Sequence, residues 1–300
     1  MRARQEKRGF LDGSLLGRKR ARENASLTQY REVYTRFKGD KEMKKIAIVT
    51  GASSGIGKEF FLSLNDKADE FDEIWVIARN AEKLNALRET TKIPLRVFSL
   101  DLSTKEAVQT IENTLKEETP QIAYLICASG FGRFCGVQDD DRETLENMVD
   151  LNCRSIVGLT RACAPYMIKG GLVMLVASVA AFQPIPYIAT YAATKAFVLS
   201  YGRALNRELK KTRGARCLCV CPFWTKTAFF DRALAEQTVV KKYAVMYEPK
   251  QIVSRAWKDV KKKNRDVSIY GAYARGQALL VKLLPHRVVM RVWMKQQGLK

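Results

Sequence analysis

The sequence predicts an α/β fold of one domain: a doubly wound parallel sheet between two layers of helices (αβα), with a basic extension at each end. Three observations carry this expectation. Short apolar runs recur from residue 44 onward, stretches of helical periodicity separate them, and the first run opens directly into a glycine-rich loop. Short apolar runs bounded by turn residues read as buried strands. Strands that alternate with helices form βαβ units, which build a parallel sheet covered on both faces.

"KKIAIVT" (44–50) is apolar and ends at Gly51, so it reads as the first strand. "EIWVIA" (73–78), "LRVFSL" (95–100), "IAYLIC" (122–127), "LVMLVA" (172–177) and "RCLCVC" (216–221) repeat the pattern, and a weaker run, "VSIY" (267–270), closes the sheet. Between them, "NAEKLNALRE" (80–89) and "RETLENMVDLNCRSIVGLTRACAPYM" (142–167) space their apolar residues as helices do. Residues 224–262 read as a helical excursion after the sixth strand, placed to cover a substrate. The expected organisation is an extension at 1–42, a sheet domain at 43–271 and a basic amphipathic segment at 272–300.

The formal net charge is +21, and it is unevenly placed. Residues 1–42 carry 12 Lys/Arg against 6 Asp/Glu and residues 250–300 carry 13 against 2, which leaves the middle of the chain nearly neutral. A nucleic-acid binder lines a face of its fold with cations, so no nucleic-acid partner is expected. Basic ends suit solvated termini, or weak contact with anionic lipid or acidic partners.

Seven cysteines are scattered, and Cys217, Cys219 and Cys221 alternate, so a strand turns all three to one face. His286 is the only histidine; no zinc-ligand set is complete and no metal is expected. Buried thiols suit a reducing, cytoplasmic location. The N-terminus lacks the apolar stretch of a signal peptide. The longest uncharged run, 170–194, contains Pro184 and Pro186, which argue against a membrane span.

"IAIVTGASSGIGKEF" sets Gly51, Gly55 and Gly57 between a strand and a helix. Glycines there permit a tight turn and close approach to a pyrophosphate. A helix beginning near Ile56 offers unpaired N–H groups and its positive dipole end to the anion. The spelling T-G-x-x-x-G-x-G resembles the cofactor fingerprint of the classical short-chain dehydrogenases/reductases, and the resemblance covers roughly residues 44–270. It implies a Rossmann-type sheet, a nicotinamide cofactor, and interconversion of an alcohol and a carbonyl. Arg79 ends the second strand in "VIARN", where an arginine accommodates a 2′-phosphate, so NADP(H) is expected over NAD(H). The resemblance further implies cofactor contacts from Ser53, Ser54 and Ile56 in the turn and from Asp101 and Leu102 after the third strand. It implies more from Ser129 after the fourth strand and from Pro222, Thr225 and Thr227 after the sixth.

Carbonyl reduction needs a proton for the developing alkoxide. A tyrosine of ordinary pKa, about 10, holds its proton too tightly. A lysine one helical turn later shares the same face and favours the phenolate. Tyr191 and Lys195, in "YIATYAATKAF", meet this need at the head of the helix after the fifth strand. Tyr34 and Lys38 share the spacing but lie in the extension and are assigned no role. The resemblance implies that Tyr191 is the acid/base and that Lys195 also holds the nicotinamide ribose. It implies that Ser178 orients the substrate oxygen, and that Asn152 bends a helix and supports a proton relay.

Two departures from the family pattern stand out. "CASG" (127–130) replaces N-N-A-G, so Cys127 and Ala128 cannot brace the sheet with side-chain amides, though Ser129 compensates in part. Phe223 replaces the glycine of P-G-x-x-x-T, spelled here by Pro222, Phe223 and Thr227.

"FWTKTAFFDRALA" (223–235) and "FQPIPY" (182–187) are aromatic and apolar. Tyr187, Phe223 and Trp224, with Ser178, are expected against a small hydrophobic carbonyl or alcohol, of hydroxysteroid or 3-oxoacyl type. The alternative, that these aromatics only build core, stays open. In "GQALLVKLLPHRVVMRVWMKQ" Arg287, Arg291 and Lys295 recur every four residues opposite valines and Trp293. Such a basic amphipathic helix suits peripheral membrane contact, pocket closure or a subunit interface. The resemblance implies a homodimer or homotetramer formed through helices at 141–168 and 191–212. The alternative function is a non-catalytic nucleotide-binding scaffold or sensor whose basic tails contact a membrane or an acidic partner.

Overall fold

The computed structural model describes residues 43–234, 238–240 and 242–299. The expected extension at 1–42, with Tyr34 and Lys38, lies outside the described residues. Seven strands, all parallel, run in the order β3-β2-β1-β4-β5-β6-β7. They are β1 (Lys45–Thr50), β2 (Glu73–Ala78), β3 (Leu95–Ser99), β4 (Gln121–Cys127), β5 (Met167–Val176), β6 (Arg216–Val220) and β7 (Val267–Ser268).

The helices are α1 (Gly55–Ser63), α2 (Ala81–Asn85), α3 (Lys105–Glu118), α4 (Arg142–Val149), α5 (Ser155–Cys163), α6 (Ala189–Thr212), α7 (Phe229–Ala233), α8 (Pro249–Val260), α9 (Ala272–Leu283) and α10 (His286–Gln297). Among the described residues no helix is long and apolar enough to cross a membrane.

Strand side chains alternate between faces, and β1 feeds two cores. Ile46 and Ile48 join Ile111 of α3, Leu159 of α5 and Val198 of α6 on one side. Ala47 and Val49 join Phe60 and Phe61 of α1 and Ile252 and Val253 of α8 on the other. Cys217, Cys219 and Cys221 all belong to the first core, as their alternation predicts.

Three elements differ from the sequence reading. The helix expected over 142–167 is two α-helices joined by a π-turn, Asp150–Arg154, followed by a 3-10 turn and then β5. Strand β5 begins five residues early because Met167 pairs with Ile122, after which the register shifts and resumes at Leu172 opposite Tyr124. Gly170, at φ +83, lies within that irregular stretch. In the excursion at 224–262, α8 packs on the sheet with α1, so only the part before it is placed to cover a substrate.

Asp259, fully buried, ties α8 to β7. Its carboxylate accepts from Arg255 Nε at 2.7 Å, Arg265 Nη1 at 3.0 Å and Ser268 Oγ at 3.0 Å. Removing one partner of a buried ionic cluster strands the others. Asp259→Ala is expected to lower unfolding free energy by about 3 kcal/mol, read as a lower urea midpoint at unchanged m.

Candidate active site

The turn after β1 has the shape of an anion cradle. Gly51 and Gly55 adopt φ +69 and +53. A Cβ on Gly57 would stand 2.2 Å from the Gly51 carbonyl oxygen, so only glycine lets α1 start this close to β1. The N-cap residue, Ser54, makes no side-chain capping bond, and the first turn of α1 has no acidic residue. The leading N–H groups therefore point to an external anion. That fits the pyrophosphate of a dinucleotide. At the end of β2, Arg79 Nη1 lies 3.8 Å from Asp101 Oδ2, with most of its side chain exposed. Asn80 and Lys83 line the cavity beside them.

Across the sheet, the "CASG" segment is braced by backbone rather than amide side chains. Thr50, at the end of β1, accepts from the N–H groups of Ala128 and Ser129, each at 3.1 Å. A Cβ on Gly130 would stand 2.8 Å from Asn152 Oδ1 and 3.3 Å from Lys195 Nζ. The last glycine of the segment thus keeps room for two polar groups.

Asn152 sits in the π-turn and is fully buried. Its side chain accepts from Phe131 N at 3.1 Å and donates to Phe131 O at 2.9 Å and Thr194 Oγ1 at 3.0 Å. It couples the loop after β4 to α6, one residue before Lys195. π-Turns within α-helices concentrate at functional sites; here the turn aims Asn152 inward.

Tyr191 and Lys195 occupy the first two turns of α6. Lys195 is 4% exposed, and its Nζ donates to the Val176 carbonyl at 2.9 Å and lies 5.6 Å from the centre of the Tyr191 ring. Burial pushes the Lys195 ammonium down to about 8. Burial also pushes the Tyr191 phenol up to about 12, opposed by its hydrogen bond with Ser178. Ser178, just past the end of β5, accepts from Ala180 N at 3.1 Å and donates to the Pro222 carbonyl at 3.5 Å.

These groups meet in one cavity of about 490 Å³. It is lined by Gly51, Ser53, Ser54, Gly55, Ile56 and Gly57 of the turn and by Arg79, Asp101 and Leu102 at the ends of β2 and β3. Ser129, Ser178, Tyr191, Lys195, Pro222, Phe223, Trp224, Thr225 and Thr227 line it too. Two expected site residues do not. Asn152 acts from behind the wall through its hydrogen bonds. Tyr187, at φ +65, is absent from the lining.

The aromatics after β6 both pack together and face the cavity. Phe134 is their hub, with ring centroids 6.2 Å from Tyr191, 5.7 Å from Trp224 and 6.1 Å from Phe229. Sequence reasoning missed Phe134, whose signal is the glycine-interleaved "GFGRF" after the fourth strand. Thr50 opens the T-G-x-x-x-G-x-G fingerprint, yet its brace on the "CASG" segment was not read from it, and Lys83, Gln183 and Gln277 were not singled out. The C-terminal helix closes the far side: Trp293 Nε1 donates to Pro186 O at 3.0 Å, and Gln297 clamps the backbone of Lys242 at 3.1 and 3.2 Å.

Comparison with known proteins agrees with this geometry. A chain from Staphylococcus epidermidis described as an uncharacterized oxidoreductase is 28% identical over 184 residues, covering 61% of this chain and 78% of that one. A very-long-chain 3-oxoacyl-CoA reductase from Neurospora crassa is 31% identical over 175 residues, 55% of this chain. The match spans only 51% of that reductase, about half its length. The solved structure of a short-chain dehydrogenase from Sphingobium yanoikuyae in complex with NADPH superposes with a TM-score of 0.67 at 27% identity, covering 80% of this chain and 94% of that one. The model for the short chain dehydrogenase family matches residues 45–238, well over half the chain. The protein therefore belongs to the short chain dehydrogenase family, and it is an oxidoreductase by membership.

Proposed function

We propose that the protein is an NADP(H)-dependent reductase interconverting an apolar ketone and its secondary alcohol. The observation that carries this reading is the convergence of Ser178, Tyr191 and Lys195 midway along the cavity. The uncapped helix and Arg79 lie at one end, and the aromatic cluster at the other. The nicotinamide cofactor, when bound, supplies or accepts the hydride. Ser178 and Tyr191 donate hydrogen bonds to the substrate oxygen, and the Tyr191 proton passes to it as charge develops. Lys195 offsets the resulting phenolate.

The aromatic end supports a hydrophobic substrate of hydroxysteroid or 3-oxoacyl type, and the similarity to a 3-oxoacyl-CoA reductase supports the second. Gln183 and Gln277 line the same cavity, and among the described residues Oε1 of each is buried without a hydrogen-bond partner. A substrate carrying an O–H or N–H donor away from its carbonyl satisfies them. Exposed Val149, Val157 and Phe197, on helices α4 to α6, support pairing of subunits there as a homodimer or homotetramer. Buried, free thiols suit a cytoplasmic location.

Tyr191→Phe keeps the ring packing and removes the proton. It is expected to lower turnover about a thousandfold or more, while NADPH binding, followed by fluorescence titration, changes little. Retained turnover would reject the acid/base role and favour a scaffold.

The pH dependence follows from the buried Lys195 ammonium. Reduction needs the Tyr191 proton and the Lys195 charge that offsets the phenolate it leaves. Tyr191 stays protonated up to about 12, whereas the Lys195 charge is lost as pH rises through about 8. Ketone reduction is therefore expected to be flat below about pH 8 and to fall above it, read as initial rates at 340 nm. Reduction that rises steadily with pH would contradict the assignment.

Arg79 is proposed to select the 2′-phosphate. Arg79→Ala is expected to lower the ratio of kcat/KM for NADPH over NADH by about tenfold or more, the loss of a charge-assisted hydrogen bond. An unchanged ratio would move the selectivity to Lys83.

A further inference from the structure

We propose that the outward face of α9 and α10 docks on an anionic membrane surface and presents the cavity mouth to it. The inner faces are accounted for: Ala274, Ala278 and Val281 are buried, and Trp293 and Gln297 close the cavity. The outer face of α9 is apolar without a protein partner among the described residues. Leu279, Leu280 and Leu283 are 62%, 54% and 74% exposed. Helical spacing places Arg275, Leu279 and Leu283 on one stripe.

The next helix supplies charge. Arg287, Arg291 and Lys295 are exposed at four-residue intervals, with exposed Val288 and Val292 beside them. From Val267 to Lys300 the sequence contains no Asp or Glu. Cations flanking exposed leucines fit anionic headgroups over an acyl boundary. A second copy fits poorly, because pairing this face with itself sets like charges against each other. Exposed apolar residues available for subunit pairing lie elsewhere, on α4 to α6.

Tyr273 connects this face to the site. It belongs to α9, lines the cavity and is 48% exposed, so the cavity opens beside the leucines. An apolar ketone dissolved in a bilayer would enter there without crossing water. This last step rests on the proposed substrate class, whereas docking itself does not.

The test is co-sedimentation of the full chain with phosphatidylcholine vesicles, with and without about one third phosphatidylserine. The expected result is a bound fraction about tenfold higher on the anionic vesicles, lost at high salt. Leu279→Ser with Leu283→Ser, and separately Arg287→Glu with Arg291→Glu, should each remove most of the binding without moving the thermal midpoint. None of these four side chains lines the cavity. Failure of the wild type to bind anionic vesicles overturns the proposal. So does wild-type binding by both variants, which would assign the contact to residues 1–42. Concentration-dependent self-association abolished by the leucine pair would give the face to a second copy. Lipid binding is read without turnover, so its failure is distinct from failure of the proposed activity.

Discussion

The ammonium of Lys195 is the constraint on which the rest of the site depends. A buried cation is costly unless it is hydrogen-bonded. The chain gives it a neutral acceptor, the Val176 carbonyl at 2.9 Å, rather than a carboxylate. That choice matters for the chemistry. A carboxylate partner would neutralise the charge and leave little field at Tyr191. Among the described residues lining the cavity, Asp101 is the only carboxylate, and it belongs to the far end with Arg79. Gly130 and the π-turn then follow as requirements: one leaves room for the ammonium, and the other turns Asn152 inward to hold α6 in place.

The cavity is consequently sorted by polarity. One end has an uncapped helix and two cationic side chains, the middle has two hydroxyls and a buried ammonium, and the other end is a cage of aromatic rings. Such sorting orients a long ligand before any specific contact forms, because reversing it would desolvate charge among apolar rings. The aromatic cage also raises the Tyr191 value. Phe134 and Phe229 pack on its ring, and burial is the largest cause of the upward shift. The rings that line the apolar end of the cavity thus also hold the Tyr191 phenol protonated.

Most of the sheet was legible in the sequence because parallel strands buried on both faces appear as continuous apolar runs. "EIWVIA" coincides with β2 residue for residue. The early start of β5 was not legible, since Gly170 and Gly171 look like a turn and the register shift depends on pairing with β4. The π-turn was hidden for a similar reason: Asn152 acts across space on Phe131 and Thr194. The placement of Tyr191 and Lys195 at one cavity could be read because it depends on spacing within one helix after a predicted strand. Tyr187 was expected at the cavity and does not line it, since its neighbourhood is set by tertiary packing rather than by its spacing from Tyr191. The C-terminal segment showed its amphipathic period, but only tertiary packing decides that the Trp293 face turns inward.

The cysteines of β6 complete the argument about Lys195. Burial holds the Cys221 thiol well above the ordinary range, and Cys217 is held there chiefly by its neighbour Cys219. Their value is size. Helix α6 crosses β6 at Gly202, where a Cβ would stand only 2.4 Å from Cys219 Sγ. A branched Val or Ile in place of Cys219 would push the helix outward. Lys195 and Tyr191 ride on that helix, about two and three turns earlier, so an outward shift would lengthen the Lys195 bond to Val176 O. A Gly–Cys contact chosen for close packing therefore governs the position of Tyr191 and Lys195, with Cys219 and Cys217 as the spacers beneath Gly202.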